Sequence, residues 1–295
     1  VDTVVLQEDV AIGPGQIAFR GPVKQGANTR RAGEDVVAGD PLFDAGRRLT
    51  PADLALAAAT GHGELHVRHK LRVGVLSTGD ELADPGTHAP DGHIFDANRP
   101  MLLSLLARWG MQGVDLGRVA DARDDLRAAL DGASSRVDVI LTSGGASAGD
   151  ADHVSALLSE TGSMHMWRIA VKPGRPLALG LWQGRPIFGL PGNPVAAMVC
   201  ALVFARPALG LLAGRGWRRP DPLMLPASFE KRKKPGRREY LRARLRSGTV
   251  EVFASEGSGR ISGLSWAEGL VELPDGEHSV VHGDLVPYYP FSAFE

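Results

Sequence analysis

Apolar positions along this chain follow two different periods, and the pattern changes twice. Over residues 1–69, short apolar runs are punctuated by glycine, beginning with the strand-like stretch at residues 1–9. One helix interrupts them. Thr50-Pro51-Ala52-Asp53 supplies a capping hydroxyl, a proline at the first helical position and an acid at the third, and Gly61 ends the helix. Over residues 70–214, β-type runs at 73–76, 114–119, 137–141, 164–171, 177–181 and 187–190 alternate with helical patterns at 98–109, 124–130, 152–158 and from 193 onward. The first of these helices reads as capped by Asn98 and stopped by Gly110. Such alternation predicts a mostly parallel sheet covered on both faces. Residues 215–295 return to short β-type runs, at 239–245, 250–254, 270–273 and 285–289, and predict a small β-domain.

Composition narrows the picture. A chain of 295 residues has room for two or three domains. Hydrophobic content of 43% and charged content of 23% are ordinary for a soluble globular chain. A formal net charge of −1 gives no electrostatic case for a nucleic-acid or membrane partner. The single cysteine, Cys200, excludes an intrachain disulfide and a thiolate-only metal cluster, and its apolar neighbours mark it as a buried structural thiol. The longest apolar segment, 194–212, is interrupted by Arg206 and Pro207 and reads as a buried helix pair. No signal peptide is visible, so the cytoplasm is the expected compartment. The chain opens at Val1 without a methionine, which predicts an upstream segment absent from this sequence.

Candidate chemistry sits where predicted strands end. Thr142–Asp152 reads TSGGASAGDAD and places Ser143, Gly144, Gly145, Ser147 and Asp152 after one strand. LPGNP places Pro191, Gly192, Asn193 and Pro194 after another, at the start of a helix. Open α/β sheets bind ligands at this edge. Bare N–H groups and helix N-termini favour an anion, and the carboxylates suit a hard cation. STGDE adds Ser77, Thr78, Gly79 and Glu81 after the first strand of this region. Lys172, Gly174 and Arg175 of KPGRP flank a rigid turn with two cations that can pair with an oxyanion. Each motif also has a bland reading: an exposed loop for STGDE, a surface turn for KPGRP, and a helix cap or its neighbour for Asp152 and Asp121. The run 231–234 reads as a solvated loop. HExxH, Walker A and GxGxxG patterns are absent. A GxSxG match at 145–149, with Asp275 and His278 downstream, opens a hydrolase reading. It is disfavoured, because Ser147 lies several residues beyond the strand end at 141 rather than on the sharp turn.

Taken together, STGDEL at 77–82, SGGASAGDAD at 143–152, KPGRP at 172–176, LPGNP at 190–194 and NTRRAGED at 28–35 resemble the molybdopterin molybdenumtransferase family, MoeA and the gephyrin E domain. The motifs fall in order over nearly the whole chain. The resemblance implies a multidomain α/β fold: a β-rich N-terminal region at 1–69, a molybdopterin-binding three-layer α/β/α domain at 70–214, and a C-terminal β-barrel at 215–295. It implies insertion of molybdate into adenylylated molybdopterin with release of AMP, helped by Mg2+ or another divalent cation. It implies Glu81, Asp121, Asp152 and Asp35 as catalytic acids, the first three of them also metal ligands, with Arg30 and Arg31 added to the ligand-binding residues. A homodimer with a cleft shared between subunits is implied too, with a molybdopterin adenylyltransferase as substrate donor. The alternative is a non-catalytic scaffold of the same fold, and the retained acids and Lys172 favour the enzyme. The chain departs from the family at Asp96-Ala97-Asn98, where a hydroxyl residue is usual in the middle, and in the small residues of GGASAG.

Overall fold

In a computed structural model, the described residues are 1–144, 153–160, 164–174 and 176–295. They form two compact units, Val1–Val67 and Arg68–Glu295. In the first unit, β1 (Val10–Gly13) and β2 (Gln16–Phe19) make an antiparallel hairpin in which Ile12 faces Ile17. Helix α1 (Pro51–Ala59) starts as expected: Thr50 Oγ1 accepts from the Asp53 N–H, and the Asp53 carboxylate accepts from the Thr50 N–H. The strand expected at residues 1–9 does not form. Gln7–Asp9 is a 3₁₀ turn, and residues 2–4 are tied to residues 26–28, among others by Val4 N–H to the Ala27 carbonyl and Gly26 N–H to the Asp2 carbonyl. Val1, Val4, Val5 and Leu6 lack the two-residue period that would favour one buried face.

The second unit is built on a six-stranded sheet. Its strands are β3 (Arg72–Thr78), β6 (Gln112–Val119), β7 (Val139–Ser143), β8 (Met164–Arg168), β10 (Pro176–Trp182) and β11 (Arg185–Leu190), in the order β6-β3-β7-β11-β10-β8. The pairs β6–β3, β3–β7 and β7–β11 are parallel, and β10 runs antiparallel to both its neighbours. Two short strands, β4 (Leu82–Ala83) and β5 (Ile94–Phe95), pair outside it.

Side chains leave each strand on alternate faces, and the core divides accordingly. Val73, Val75, Val139, Leu141, Phe188 and Leu190 pack on one side with α2 (Asn98–Arg108) and the long run α5 (Pro194–Cys200), π-turn (Ala201–Ala205) and α6 (Arg206–Leu212). Leu76, Ile140 and Ile187 pack on the other side with α3 (Arg123–Ser134) and α4 (His153–Glu160). The run Pro194–Leu212 is the one helix among the described residues long and apolar enough to cross a membrane, but it packs into this core. Its π-turn directly precedes Arg206-Pro207, where proline removes a helical donor.

Residues 223–290 add β12 (Leu223–Pro226), β13 (Lys231–Lys233), β14 (Arg238–Arg246), β15 (Thr249–Val252), α7 (Ser262–Trp266), β16 (Gly269–Leu273), β17 (His278–Val280) and β18 (Leu285–Pro290). The order β12-β18-β16-β14-β15 closes through a bridge between Ala227 and Val250, giving the β-barrel. Tyr240, Leu270 and Phe294 share a hydrophobic cluster with Leu202 and Leu209, so the barrel and the six-stranded sheet belong to one unit. The chain also crosses directly between them. The strand expected over 164–171 breaks after Arg168, and β9 (Val171–Lys172) instead pairs in parallel with Arg238 and Glu239 of β14.

Candidate functional site

Successive strands leave β3 in opposite directions: β6 lies on one side of it and β7 on the other. That reversal makes the carboxyl ends of β3 and β7 the topological switch point, where open α/β sheets favour a ligand crevice. Ser77 and Thr78 end β3, Thr142 and Ser143 end β7, and Leu190 ends β11, so the three expected turns leave neighbouring strands. Among the described residues, Ser77 Oγ, Thr78 Oγ1 and Thr142 Oγ1 are buried without a hydrogen-bond partner, as is Asn98 Oδ1. An unpaired buried polar atom costs about 1–3 kcal/mol, so four together mark a place where a ligand or water supplies partners.

Where these turns approach, glycine is required at Gly144, while a Cβ at Gly192 would make only ordinary contact. Gly144 has φ of 94°, and a Cβ there would lie 2.4 Å from the Thr78 carbonyl oxygen. A Cβ on Gly192 would meet Gly144 Cα at 3.5 Å. Asn98 closes the arrangement: Nδ2 donates to Ser143 Oγ at 2.7 Å and to the Gly192 carbonyl at 2.6 Å. Asn98 is therefore not the cap of α2. Asp96 does that work, its Oδ1 accepting from the N–H groups of Asn98 and Arg99. Sequence reasoning found both turns and missed Asn98, because asparagine at a helix start has a ready capping explanation. At the third turn, Asn193 does cap α5, accepting from the Val195 N–H, with Pro194 at the first helical position.

Carboxylates gather at the adjacent edge. Asp80 Oδ1 accepts from the Asp121 N–H at 3.0 Å, and Glu81 Oε2 lies 2.6 Å from where a Gly79 Cβ would stand. Burial raises the pKa of Asp121, the charges of Asp80 and Glu81 raise it further, and His153 opposes them. Asp121 does not cap α3, whose cap residue is Ala122 with no side-chain bond. Among the described residues no three His, Cys, Asp or Glu side chains are grouped as a metal site.

Lys172 borders a second feature, a cleft of about 240 Å³ lined by Lys172, Pro173, Val195, Lys231, Glu239 and Glu256, among others. Its Nζ donates to Glu256 Oε2 at 2.6 Å and Glu239 Oε1 at 3.3 Å. Burial pulls the Lys172 pKa down, but the hydrogen bonds and charges of the two glutamates outweigh it and the net direction is up. Lys231 joins both acids, and hydrogen bonds from Lys172 and Lys231 hold Glu256 down at about 2. The run at 231–234 is thus not a solvated loop. Lys233 is also buried, donating to the carbonyls of Lys234, Asp275 and Gly276, which takes up all three ammonium donors. Gly174 of the same turn has φ of 109°, and a Cβ there would meet Cys200 Sγ at 2.7 Å. Cys200 is buried as expected, and burial raises its thiol to about 12.

Gly145, Ser147, Asp152 and Arg175 lie outside the described residues. Arg30, Arg31 and Asp35 belong to the first unit and are exposed, with the Arg31 N–H donating to Glu34. Of the hydrolase partners, Asp275 pairs with Arg238, and His278 lies in β17 opposite Lys233.

Comparison with known proteins bears directly on this geometry. Three family models match in sequence: the MoeA N-terminal region (domain I and II) at residues 1–61, a "probable molybdopterin binding domain" at 74–210, and the MoeA C-terminal region (domain IV) at 225–291. A molybdopterin molybdenumtransferase of Haemophilus influenzae is 35% identical, over 99% of this chain and 74% of its own length. The chain belongs to the molybdopterin molybdenumtransferase (MoeA) family. A second relative of that name, from Synechococcus elongatus, is 36% identical over 97% of this chain and 72% of its own. The crystal structure of a molybdopterin biosynthesis MoeA protein from Pyrococcus horikoshii superposes with a TM-score of 0.81 at 29% identity, covering 98% of this chain and 72% of that one.

Proposed function

We propose that this member of the MoeA family acts in molybdenum cofactor biosynthesis, inserting molybdate into adenylylated molybdopterin with release of AMP. The observation that carries the reading is the meeting of glycine turns at the ends of β3, β7 and β11, where four buried polar atoms have no partner among the described residues. Adenylylated molybdopterin offers many hydrogen-bonding groups and carries phosphate charge. The Gly144 and Gly192 turns, the start of α5 and the hydroxyls of Ser77, Thr78 and Ser143 bind it, joined by Gly79, Gly145, Ser147, Pro191, Asn193 and Pro194. Lys172, Gly174 and Arg175 serve its oxyanions from the KPGRP turn.

Glu81, Asp121 and Asp152 supply hard oxygen ligands that suit Mg2+, and burial first, then the like charges of Asp80 and Glu81, raise the pKa of Asp121. When bound, the cation stabilises negative charge on the departing phosphate. The chain's own acids keep that ion and the attacking oxygens in place. Arg30, Arg31 and Asp35 contribute to a cleft shared between the subunits of a homodimer. The substrate arrives from a molybdopterin adenylyltransferase, in the cytoplasm.

The test is AMP release from adenylylated molybdopterin in the presence of molybdate and Mg2+, followed alongside calorimetric binding. Wild-type chain is expected to release one AMP per molybdenum inserted, and Gly144→Ala to bind at least tenfold more weakly. Tight binding without any AMP release would make the chain a scaffold. No binding would remove the reading.

A further inference from the structure

Asn98 joins two parts of the crevice that are far apart in sequence. One amide nitrogen holds Ser143, 45 residues away, and the Gly192 carbonyl, 94 residues away. The residue is 6% exposed, so water does not compete for these bonds. Its own oxygen, Oδ1, is buried without a partner among the described residues. A side chain kept only to start α2 would not need this arrangement, since Asp96 already caps that helix with two backbone bonds. Nor does the sheet alone set the spacing between the turns. Gly144 N–H reaches the Leu190 carbonyl at 3.3 Å, a long contact just past the last parallel pair, Leu190 with Ser143. The turns run beyond the ladder, and Asn98 is the side chain that ties them across the gap. Its backbone is fixed by α2, whose Leu102, Leu105 and Leu106 pack in the core.

We propose that Asn98 is a positioning residue, which locks the Ser143–Gly144 turn to the Gly192 turn so that the two turns face one ligand together. The inference rests on the functional reading above and adds a residue to it. Pre-setting two loops spares the ligand the cost of ordering them, so the effect belongs in affinity rather than in fold stability. The local chemistry is specific about which substitution matters. In Asn98→Asp the shape is kept, but an ionised carboxylate cannot donate to the Gly192 carbonyl. Protonated, it can donate once. The defect should therefore shrink as pH falls.

Three variants test this: Asn98→Asp, Asn98→Ala, and Leu102→Ala as a core lesion in the same helix. Calorimetry with AMP as the probe should show at least a tenfold weaker Kd for Asn98→Asp and Asn98→Ala at about pH 8. Leu102→Ala, though less stable to heat, should bind AMP within about threefold of wild type. Lowering the pH to about 5 should recover part of the loss for Asn98→Asp relative to wild type, and none for Asn98→Ala. Hydrogen exchange without ligand gives an independent reading. The amides of Ser143, Gly144, Gly192 and Asn193 should exchange faster together in Asn98→Asp and stay near wild type in Leu102→Ala. If wild type fails to bind AMP, the functional reading falls while the exchange result still decides on Asn98. Equal AMP affinity in Asn98→Asp and wild type, or equal loosening of the turns in Leu102→Ala, would overturn the proposal. If Asn98→Ala does not fold, the isosteric Asn98→Asp carries the same test through its pH response.

Discussion

Burial raises the pKa of Asp121, and the like charges of Asp80 and Glu81 add to it. For a carboxyl raised in the folded state, stability is fully present below the unfolded value of 3.8 and declines as pH rises through the folded value. Ionised Asp121 therefore works against folding at neutral pH. Asp121→Asn should melt higher than wild type at neutral pH, lose that advantage below about pH 4, and release AMP at least tenfold more slowly. Thermal melts across pH, paired with turnover, check the trade, and a lower melting temperature at neutral pH would refute it. Mg2+ should stabilise wild type more than the variant. Single residues were legible in the sequence wherever a motif allowed one explanation. Cys200 was one such case: lying among apolar residues it reads as an inert thiol, and burial lifts it to about 12. Iodoacetamide at about pH 8 should leave native Cys200 unmodified and label it only on unfolding. Asn98 was opaque for the opposite reason. Its partners lie 45 and 94 residues away, and no local pattern records them.

At the level of elements, the parallel core of the sheet was readable because β3, β7 and β11 are apolar on both faces and each is followed by a glycine turn. What could not be read was where an extended run changes partners. Residues 164–171 look like one strand, yet Met164–Arg168 pairs with β10 and Val171–Lys172 with β14, because the choice depends on a strand that begins about 65 residues later. The basic run at 231–234 was misread similarly, since its counter-charges, Glu239 and Glu256, are supplied by later segments. That pairing has a pH signature. Glu256 sits near 2 when folded against an ordinary 4.5, held by Lys172 and Lys231. The stability it contributes is present above about pH 4.5 and is lost as pH falls toward 2. Glu256→Gln should lower the urea midpoint at pH near 6, and the gap between variant and wild type should narrow as pH falls toward 2. A gap independent of pH would mean that the loop's packing, and not the ion pairs, carries the effect.

Across the whole molecule, the apolar surface is unevenly covered. The first unit buries only Asp53 and Ala57 among its 67 residues, whereas the second has an extended core on both faces of its sheet. The β1–β2 hairpin shows why: Ile12, Ile17 and Phe19 are 82%, 63% and 56% exposed. Neighbouring exposed side chains of this size on one hairpin mark a surface that partners cover. The proposed homodimer would place a second copy there, and the prediction is direct. Wild-type chain should sediment as a dimer at micromolar concentration, and Ile17→Asp with Phe19→Asp should shift it toward monomer while leaving AMP binding by the crevice of β3, β7 and β11 within about threefold. AMP release should fall much further than binding does, because the proposed cleft takes Arg30, Arg31 and Asp35 from a second copy. A mixing experiment separates that from simple loss of stability. Arg31→Ala and Asp121→Asn chains, each weak alone, should recover part of the turnover when combined, through the one cleft per heterodimer that has both residues intact. If the hairpin variant remains dimeric, the hairpin is not the interface. If the mixture recovers nothing while heterodimers are present, each cleft is built within one chain.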